Sequence, residues 1–146
     1  MIFHPYQKKL DRNVILKIID IETNDFVLLD QKAYIKYLGI LIDSNLTWKY
    51  HISYITSRIS KTIGVIARLR HFVPASMLLT PYRSLLSPYL LYGVTVWGQA
   101  PQIYLNQILV LQKRALRLTY FAPYGSSTVS LFVSSGCLPI SLLYYY

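Results

Sequence analysis

The chain has 146 residues, which is long enough for one compact domain with a modest hydrophobic core, and two independent domains are not expected. Apolar residues make up 53% and charged residues 14%, which excludes an intrinsically disordered chain because enough surface can be buried to offset the ordering entropy. The formal net charge of +9 points to a partner that carries phosphates or anionic lipid, although a basic balance also serves solubility alone.

The cysteine count and the N-terminal residues indicate where in the cell the protein is expected. Cys137 is the single cysteine, so no internal disulfide forms, and no Cys/His cluster has zinc-ligand spacing. The segment 1–5 lacks the basic region, apolar run and cleavage site of a signal peptide. We therefore expect an intracellular protein, nuclear or cytoplasmic and not secreted.

Apolar, β-branched runs open the chain at 13–19, 26–29 and 34–42. Runs of this composition predict strands, and the turn-forming residues between them suit an antiparallel meander. The expected architecture of residues 1–43 is thus a small antiparallel β-meander.

After Asn45 the period changes to that of an amphipathic helix, with Thr47 as a plausible N-cap and Pro74 as the stop. Apolar residues recur at steps of three and four along it: Ile52, Ile55, Ile59, Ile63, Ile66 and Leu69. Arg58, Lys61 and Arg68 fall on the opposite face. This basic face either contacts phosphates or is simply solvated.

Further helices are predicted from Ala75 to about Leu86, kinked or restarted at Pro81, and from about Gln102 to Tyr120. The last of these has an expected apolar stripe of Ile103, Ile108, Leu111, Ala115 and Leu118. Its last turns carry Lys113, Arg114 and Arg117, which either contact phosphates or complement the helix dipole.

The acidic residues are confined to one part of the chain. All six lie within residues 1–43, where six Lys or Arg balance them, whereas 44–146 carry nine Lys or Arg and no acid. Uncharged stretches at 84–112 and after Arg117 raise the alternative of a cationic membrane-associated protein. Pro, Gly, Asn and Gln interrupt both stretches, so a membrane span is disfavoured.

Six blocks of sequence stand out for their order and spacing: YLGILIDSNLTWKYHI at 37–52, SKTIG at 60–64, RLR at 68–70, PYLLYG at 88–93, VWG at 96–98 and LQKRALR at 111–117. In this order they resemble the part that follows the catalytic palm in reverse transcriptases of non-LTR (LINE, jockey/CR1-like) retrotransposons. Pro81 and the segment 127–132 depart from the family pattern, and the chain stops at 144–146 where family members continue. A truncated or decayed copy is expected, which leaves a non-functional pseudogene product as a further alternative.

The resemblance implies an α+β fragment of an RNA-directed DNA polymerase. Residues 1–43 would be a remnant of the palm and primer-grip meander, and 44–146 a truncated, basic, mainly helical thumb-like region. The expected partners are an RNA/DNA template–primer duplex and the remaining polymerase domains. The residues expected to bind nucleic acid are Tyr37, Leu38, Gly39, Arg58, Lys61, Arg68, Lys113, Arg114 and Arg117. The aromatic Trp48 and Trp97 suit base stacking or, more commonly, the core.

Catalytic chemistry is not expected in this chain. Nucleotidyl transfer by the two-metal mechanism requires clustered carboxylates, and the sequence has no Asp-Asp pair. Asp20 and Glu22 alternate on a predicted strand and are more typical of a solvated edge, and His51 suits either a phosphate contact or a helix surface. In the family, the catalytic aspartates lie upstream of the position of Met1. We predict no catalytic residue, metal site or cofactor here, with Mg²⁺ expected in the intact family enzyme.

Overall fold

A computed structural model describes residues 17–19, 26–28 and 32–146 of the chain. Length alone led us to expect one unit, but internal contacts divide the chain into Met1–Thr47 and Trp48–Tyr146. We describe each unit by itself. The positions of Asp20 and Glu22 and the segment 1–5 lie outside the described residues.

The described residues of the first unit form two antiparallel strand pairs. β1 (Lys17–Ile19) pairs with β2 (Phe26–Leu28), and β3 (Tyr34–Tyr37) pairs with β4 (Ile40–Asp43). The antiparallel pairing and the α+β class are confirmed, but the third apolar run, 34–42, is not one strand. It turns back on itself between β3 and β4, because Leu38 and Gly39 both adopt positive φ, at 46° and 81°. Two successive positive φ values suit the tight turns that match the twist of paired strands.

The carboxyl group of Asp43 organises the end of β4. Its Oδ1 accepts hydrogen bonds from the backbone N–H of Asn45 at 3.2 Å and of Thr47 at 2.9 Å, and from the Thr47 hydroxyl at 3.2 Å. The prediction that Thr47 caps the first helix is therefore wrong. Its hydroxyl turns back to Asp43, and the helix begins after Trp48, which has a φ of 63° and provides no side-chain cap.

The second unit is helical and begins with α1 (Lys49–Leu69). The predicted isoleucine stripe is confirmed as the face that this helix buries, with Leu69 only partly buried at its end. Burying a side chain of this size stabilises the fold by roughly 1.5–3 kcal/mol relative to leaving it exposed. The stripe therefore anchors α1 in the core of the unit.

Proline and glycine divide the middle of the unit into short helices. α2 (Ala75–Pro81) continues into a π-helical turn (Tyr82–Leu86) and then α3 (Ser87–Leu91). Pro81 has no N–H to donate, and its ring clashes with the preceding turn, so the wider π-helical spacing after it confirms the predicted interruption. α4 (Val94–Trp97) follows Gly93, whose φ of 63° ends the previous helix.

The C-terminal part consists of α5 (Gln102–Thr119), α6 (Val129–Ser135) and α7 (Ile140–Leu143). The predicted apolar stripe of α5 is wrong at Ile103, which is 70% exposed. The buried face is Leu105, Ile108, Gln112, Ala115, Leu116 and Thr119. The prediction used apolar residues alone and therefore left Gln112 out of the buried face. Without Gln112, the predicted face is shifted around the helix toward Ile103.

α1 and α5 pack against each other, and the contacts at their two ends indicate that they run in the same direction. At their N-terminal ends, the His51 ring lies 5.7 Å from Trp97, which precedes α5 by a few residues. At their C-terminal ends, the Arg70 guanidinium lies 4.7 Å from the centre of the Phe121 ring. Both helices therefore finish at the same end of the unit. Among the described residues, no helix combines the length and apolarity that crossing a membrane requires.

The Gln112 side chain, fully buried in the middle of α5, connects the helix to two distant segments. Its Oε1 accepts from the backbone N–H of Ile140 at 2.8 Å, and its Nε2 donates to the backbone carbonyl of Leu138 at 3.2 Å. Nε2 also lies 3.5 Å from the Tyr82 hydroxyl in the π-helical turn. A buried polar group must find such partners, because an unsatisfied one costs about 1–3 kcal/mol.

We predict that Gln112→Met destabilises the protein by about 2–4 kcal/mol. Methionine fills a similar volume but leaves the Ile140 N–H and the Leu138 carbonyl without their partner. Urea denaturation followed by circular dichroism measures the change. The matched control is Gln107→Met on the exposed side of the same helix, which should change the free energy of unfolding by less than about 0.5 kcal/mol. Equal effects of both substitutions would contradict the role given to Gln112.

Candidate nucleic-acid interface

The helical unit, 48–146, has positive side chains and no internal counter-charge. It contains nine Lys or Arg and no Asp or Glu. No cation of this unit can therefore pair with a side-chain carboxylate of the same unit. Such a one-sided surface attracts anions from outside it.

Three of the predicted site residues share the exposed face of α1. Arg58, Lys61 and Arg68 are all exposed, opposite the isoleucine stripe, and Tyr54 and Val65 lie on the same face at helical spacing. The Arg58 guanidinium lies 5.2 Å from the centre of the Tyr54 ring, an arrangement that limits its rotation. We call these five residues the α1 basic row. Its ten-residue span from Arg58 to Arg68 is about 15 Å, the length of about four phosphates of one DNA strand.

The predicted cations of α5 differ in their surroundings. Arg114 is exposed, whereas Lys113 and Arg117 are half-buried. Arg117 donates from Nε at 3.2 Å and from Nη2 at 2.9 Å to the carbonyl of Ser126 in the loop after α5. Two of the Arg117 hydrogen-bond donors therefore stabilise the loop after α5. Because α1 and α5 finish at the same end, Arg68 and Arg117 both belong to that end of the unit.

Two arginines absent from the predicted site also have defined contacts. Arg83 donates from Nη2 to the carbonyl of Ser135, the last residue of α6, at 2.7 Å, and Arg70 stacks on Phe121. A cation at a helix C-terminus interacts favourably with the helix dipole. Neither contact has a signal in the sequence, because the partners are about fifty residues away along the chain. These arginines stabilise the fold, and a site chosen by charge alone cannot distinguish them from binding residues.

The remaining predicted site residues, Tyr37, Leu38 and Gly39, form the turn between β3 and β4. All three are exposed. Leu38 adopts a positive φ that a residue with a branched apolar side chain rarely takes, so the turn presents an apolar side chain at some conformational cost. These residues belong to the first unit.

His51 is neither a surface residue nor placed to contact phosphate. It is 2% exposed, and its ring contacts Trp97 edge to face, with the planes at 66°. Burial lowers the pKa of the His51 imidazole from 6.5 to about 4, because charging the ring in the core is unfavourable. Trp97 is fully buried and donates from Nε1 to the carbonyl of Tyr92 at 2.9 Å, so it is a core residue. Within residues 32–146, no three His, Cys, Asp or Glu side chains lie together in a group that could hold a metal ion.

Comparison with known proteins relates the chain to polymerases of mobile elements. It is 35% identical over 102 residues, 67% of its length, to the probable RNA-directed DNA polymerase from transposon BS of Drosophila melanogaster, of which it covers 11%. It is 33% identical over 111 residues, 74% of its length, to the RNA-directed DNA polymerase from mobile element jockey of the same species, of which it covers 12%. A third relative is the probable RNA-directed DNA polymerase from transposon X-element, 31% identical over 57% of the chain.

The chain is therefore homologous to a segment of these RNA-directed DNA polymerases, in agreement with the LINE-type reverse transcriptase that its sequence blocks resemble. It spans about a tenth of the length of these curated relatives. No family model matches the chain, and no solved structure matches it significantly. Which functional part of the polymerase it represents stays a prediction.

We predict that His51 makes the stability of the protein depend on pH. Its pKa is about 4 in the folded protein and 6.5 when exposed, so the unfolded chain takes up the proton first as the pH falls. Stability is thus complete above pH 6.5 and is lost as the pH falls toward 4, by up to about 3 kcal/mol. Urea denaturation at several pH values between 7.5 and 4 measures this loss.

The matched variants are His51→Gln and His71→Gln. His71→Gln replaces an exposed histidine, so this variant should lose as much stability between pH 7.5 and 4 as the unchanged protein. His51→Gln should lose much less stability over the same pH range. A pH profile of His51→Gln parallel to that of the unchanged protein would show that other groups are responsible.

Proposed function

We propose that the chain is a segment of a mobile-element RNA-directed DNA polymerase, and that its helical unit binds the backbone of a template–primer duplex. The observation that carries the proposal is the α1 basic row on a unit that contains no carboxylate side chain. Homology to polymerases of mobile elements supports the same conclusion independently. A polymerase must hold its template and primer, and the part that does so needs exposed cations.

The physical basis is neutralisation of phosphates. Lys and Arg side chains that contact phosphates displace condensed counterions, and this displacement supplies most of the affinity of sequence-independent binding. Phosphate contacts fix the position of a duplex and carry no base information. A row of cations along one helix face suits this task, since a polymerase has to move along any template.

Within the proposal, residues 44–146 belong to the thumb and 1–43 to the palm and primer grip. The exposed turn at Tyr37, Leu38 and Gly39 is consistent with contact to the end of a primer. Arg58, Lys61 and Arg68 are the strongest candidates for phosphate contacts on α1, and Lys113 and Arg114 for those on α5. Arg117 contributes more through the turn that it holds.

Nucleotidyl transfer would depend on other parts of the intact polymerase. Asp43 is the one carboxylate side chain between residues 32 and 146, and its Oδ1 accepts three hydrogen bonds from Asn45 and Thr47. A buried carboxyl used in this way does not fit a Mg²⁺ pair, which needs several carboxylates together. The chemistry that Mg²⁺ supplies would belong to aspartates upstream of this segment.

We predict that affinity for an RNA–DNA hybrid falls linearly in log K with log salt concentration. Replacing Lys61 and Arg68 with Gln should reduce the magnitude of the slope by about 0.9 for each lost phosphate contact, because fewer counterions are released. Fluorescence anisotropy with a labelled hybrid at several salt concentrations measures the slope. Changing the base sequence of the hybrid should have little effect.

The matched control for this titration keeps the charges and exchanges the side chains, as Lys61→Arg together with Arg68→Lys. It should bind with an unchanged slope. Neutral liposomes test the alternative of a cationic membrane-associated protein, because burial of apolar surface in lipid is insensitive to salt. Uptake by neutral liposomes without hybrid binding would refute the proposal.

We also predict that the purified chain does not extend a primer on an RNA template with Mg²⁺, since it lacks a carboxylate cluster. Extension is measured on a denaturing gel against a complete reverse transcriptase as the positive control. Primer extension by the chain, and its loss on Asp43→Asn, would show that the metal ligands had been misassigned.

A further inference from the structure

The loop between α5 and α6 presents Tyr124 at the tip of a hydrogen-bonded turn. The backbone N–H of Ser126 donates to the Pro123 carbonyl at 3.2 Å, and Gly125 has the φ of +89° that a type II turn requires at its third position. Arg117 holds the carbonyl of Ser126 with two hydrogen bonds. The Tyr124 side chain is 100% exposed. An aromatic ring held in this way loses little further backbone entropy when a ligand stacks on it.

A second aromatic residue of the same loop is already stacked on one side. The guanidinium of Arg70, just after α1, lies 4.7 Å from the centre of the Phe121 ring. Phe121 has a φ of 53°, which is rare for an aromatic residue, and its ring remains partly exposed. This contact joins the ends of α1 and α5.

A third aromatic residue belongs to the same end of the unit. Phe72, 84% exposed, follows Arg70 by two residues, so their Cα atoms lie within about 8 Å of each other. Tyr124 follows Phe121 by three residues, which limits that separation to about 11 Å. We call Arg70, Phe72, Phe121 and Tyr124 the aromatic end. Single exposed apolar residues are ordinary, but three exposed aromatic residues this close along the chain to the Arg70–Phe121 contact offer a surface suited to stacking.

The charges around the aromatic end indicate what binds there. Arg68, the last residue of the α1 basic row, precedes Arg70 by two residues, and the unit contains no Asp or Glu. The ligand should therefore be anionic and offer flat faces to the rings. Unpaired nucleotides meet both requirements, whereas the bases of a duplex are already stacked on one another.

We propose that the aromatic end binds an unpaired stretch of RNA or DNA by stacking bases on Phe72, Phe121 and Tyr124. The strand continues from the duplex that the α1 basic row holds, so the inference rests on the proposed nucleic-acid binding. Arg117 is a positioning residue, because it fixes the turn that carries Tyr124 and leaves stacking to the rings.

The test compares two labelled 12-mers of equal charge, oligouridylate and an abasic strand, by fluorescence anisotropy with the full chain. Phosphate contacts are the same in both, so a difference in affinity reports stacking. Stacking of each base on an aromatic side chain should contribute about fivefold or more. We expect the chain to prefer oligouridylate by at least that factor. We expect Phe72→Ala with Tyr124→Ala to reduce the preference at least fivefold, with Phe121 retained, while leaving affinity for the abasic strand unchanged.

The matched control is Tyr146→Ala, which removes an equally exposed tyrosine, 99% exposed, from outside the aromatic end. It should retain the preference. Equal affinity of the unchanged chain for the two 12-mers, or a preference that the double substitution leaves undiminished, would overturn the inference. A third contrary result would be that the chain binds vesicles of anionic phospholipid through Phe72 and Tyr124 and binds neither 12-mer. Binding of the RNA–DNA hybrid, which has no unpaired bases, is measured in parallel, so the proposed function can stand when this inference fails.

Discussion

The helical unit depends on one buried amide. Gln112 occupies the centre of the α5 face that enters the core, where an apolar side chain is the usual choice, and it bonds both backbone partners offered by Leu138 and Ile140. The chain segment before α7 has no sheet or long helix to satisfy its polar backbone groups. The amide supplies that pairing, because it presents a donor and an acceptor side by side as a peptide group does. The C-terminal segment is thereby attached to α5, and α5 to the isoleucine face of α1.

The parallel arrangement of α1 and α5 gives the unit two different ends. Near the N-terminal ends, His51 and Trp97 are buried against each other. The C-terminal ends carry Arg68, Arg70 and Arg117, whose charges suit the negative ends of two helix dipoles. Some of this charge stabilises the helices and the loop, and the remainder faces solvent. The cations at this end are therefore shared out between the fold and the proposed nucleic-acid surface.

The cationic residues divide by what they contact. Arg70, Arg83 and Arg117 are held by an aromatic ring or by backbone carbonyls. The α1 basic row projects outward on a helix whose other face is buried. Planar guanidinium groups suit such contacts within the fold, because they donate several hydrogen bonds in a fixed geometry and stack on rings. Under the proposed function, the cations of the α1 basic row are the ones that would contact the nucleic acid.

The sequence by itself determined the features that depend on local spacing. The isoleucine stripe of α1, the interruption at Pro81 and the absence of acids after Asp43 are all readable from neighbouring residues, because helix period, proline geometry and charge are local properties. Tertiary structure alone decided which face of α5 is buried, since Gln112 enters the core only where distant backbone groups satisfy it. It also decided that His51 is buried and that Arg70 meets Phe121. The partners in these contacts are brought together by folding, and no pattern of adjacent residues encodes them.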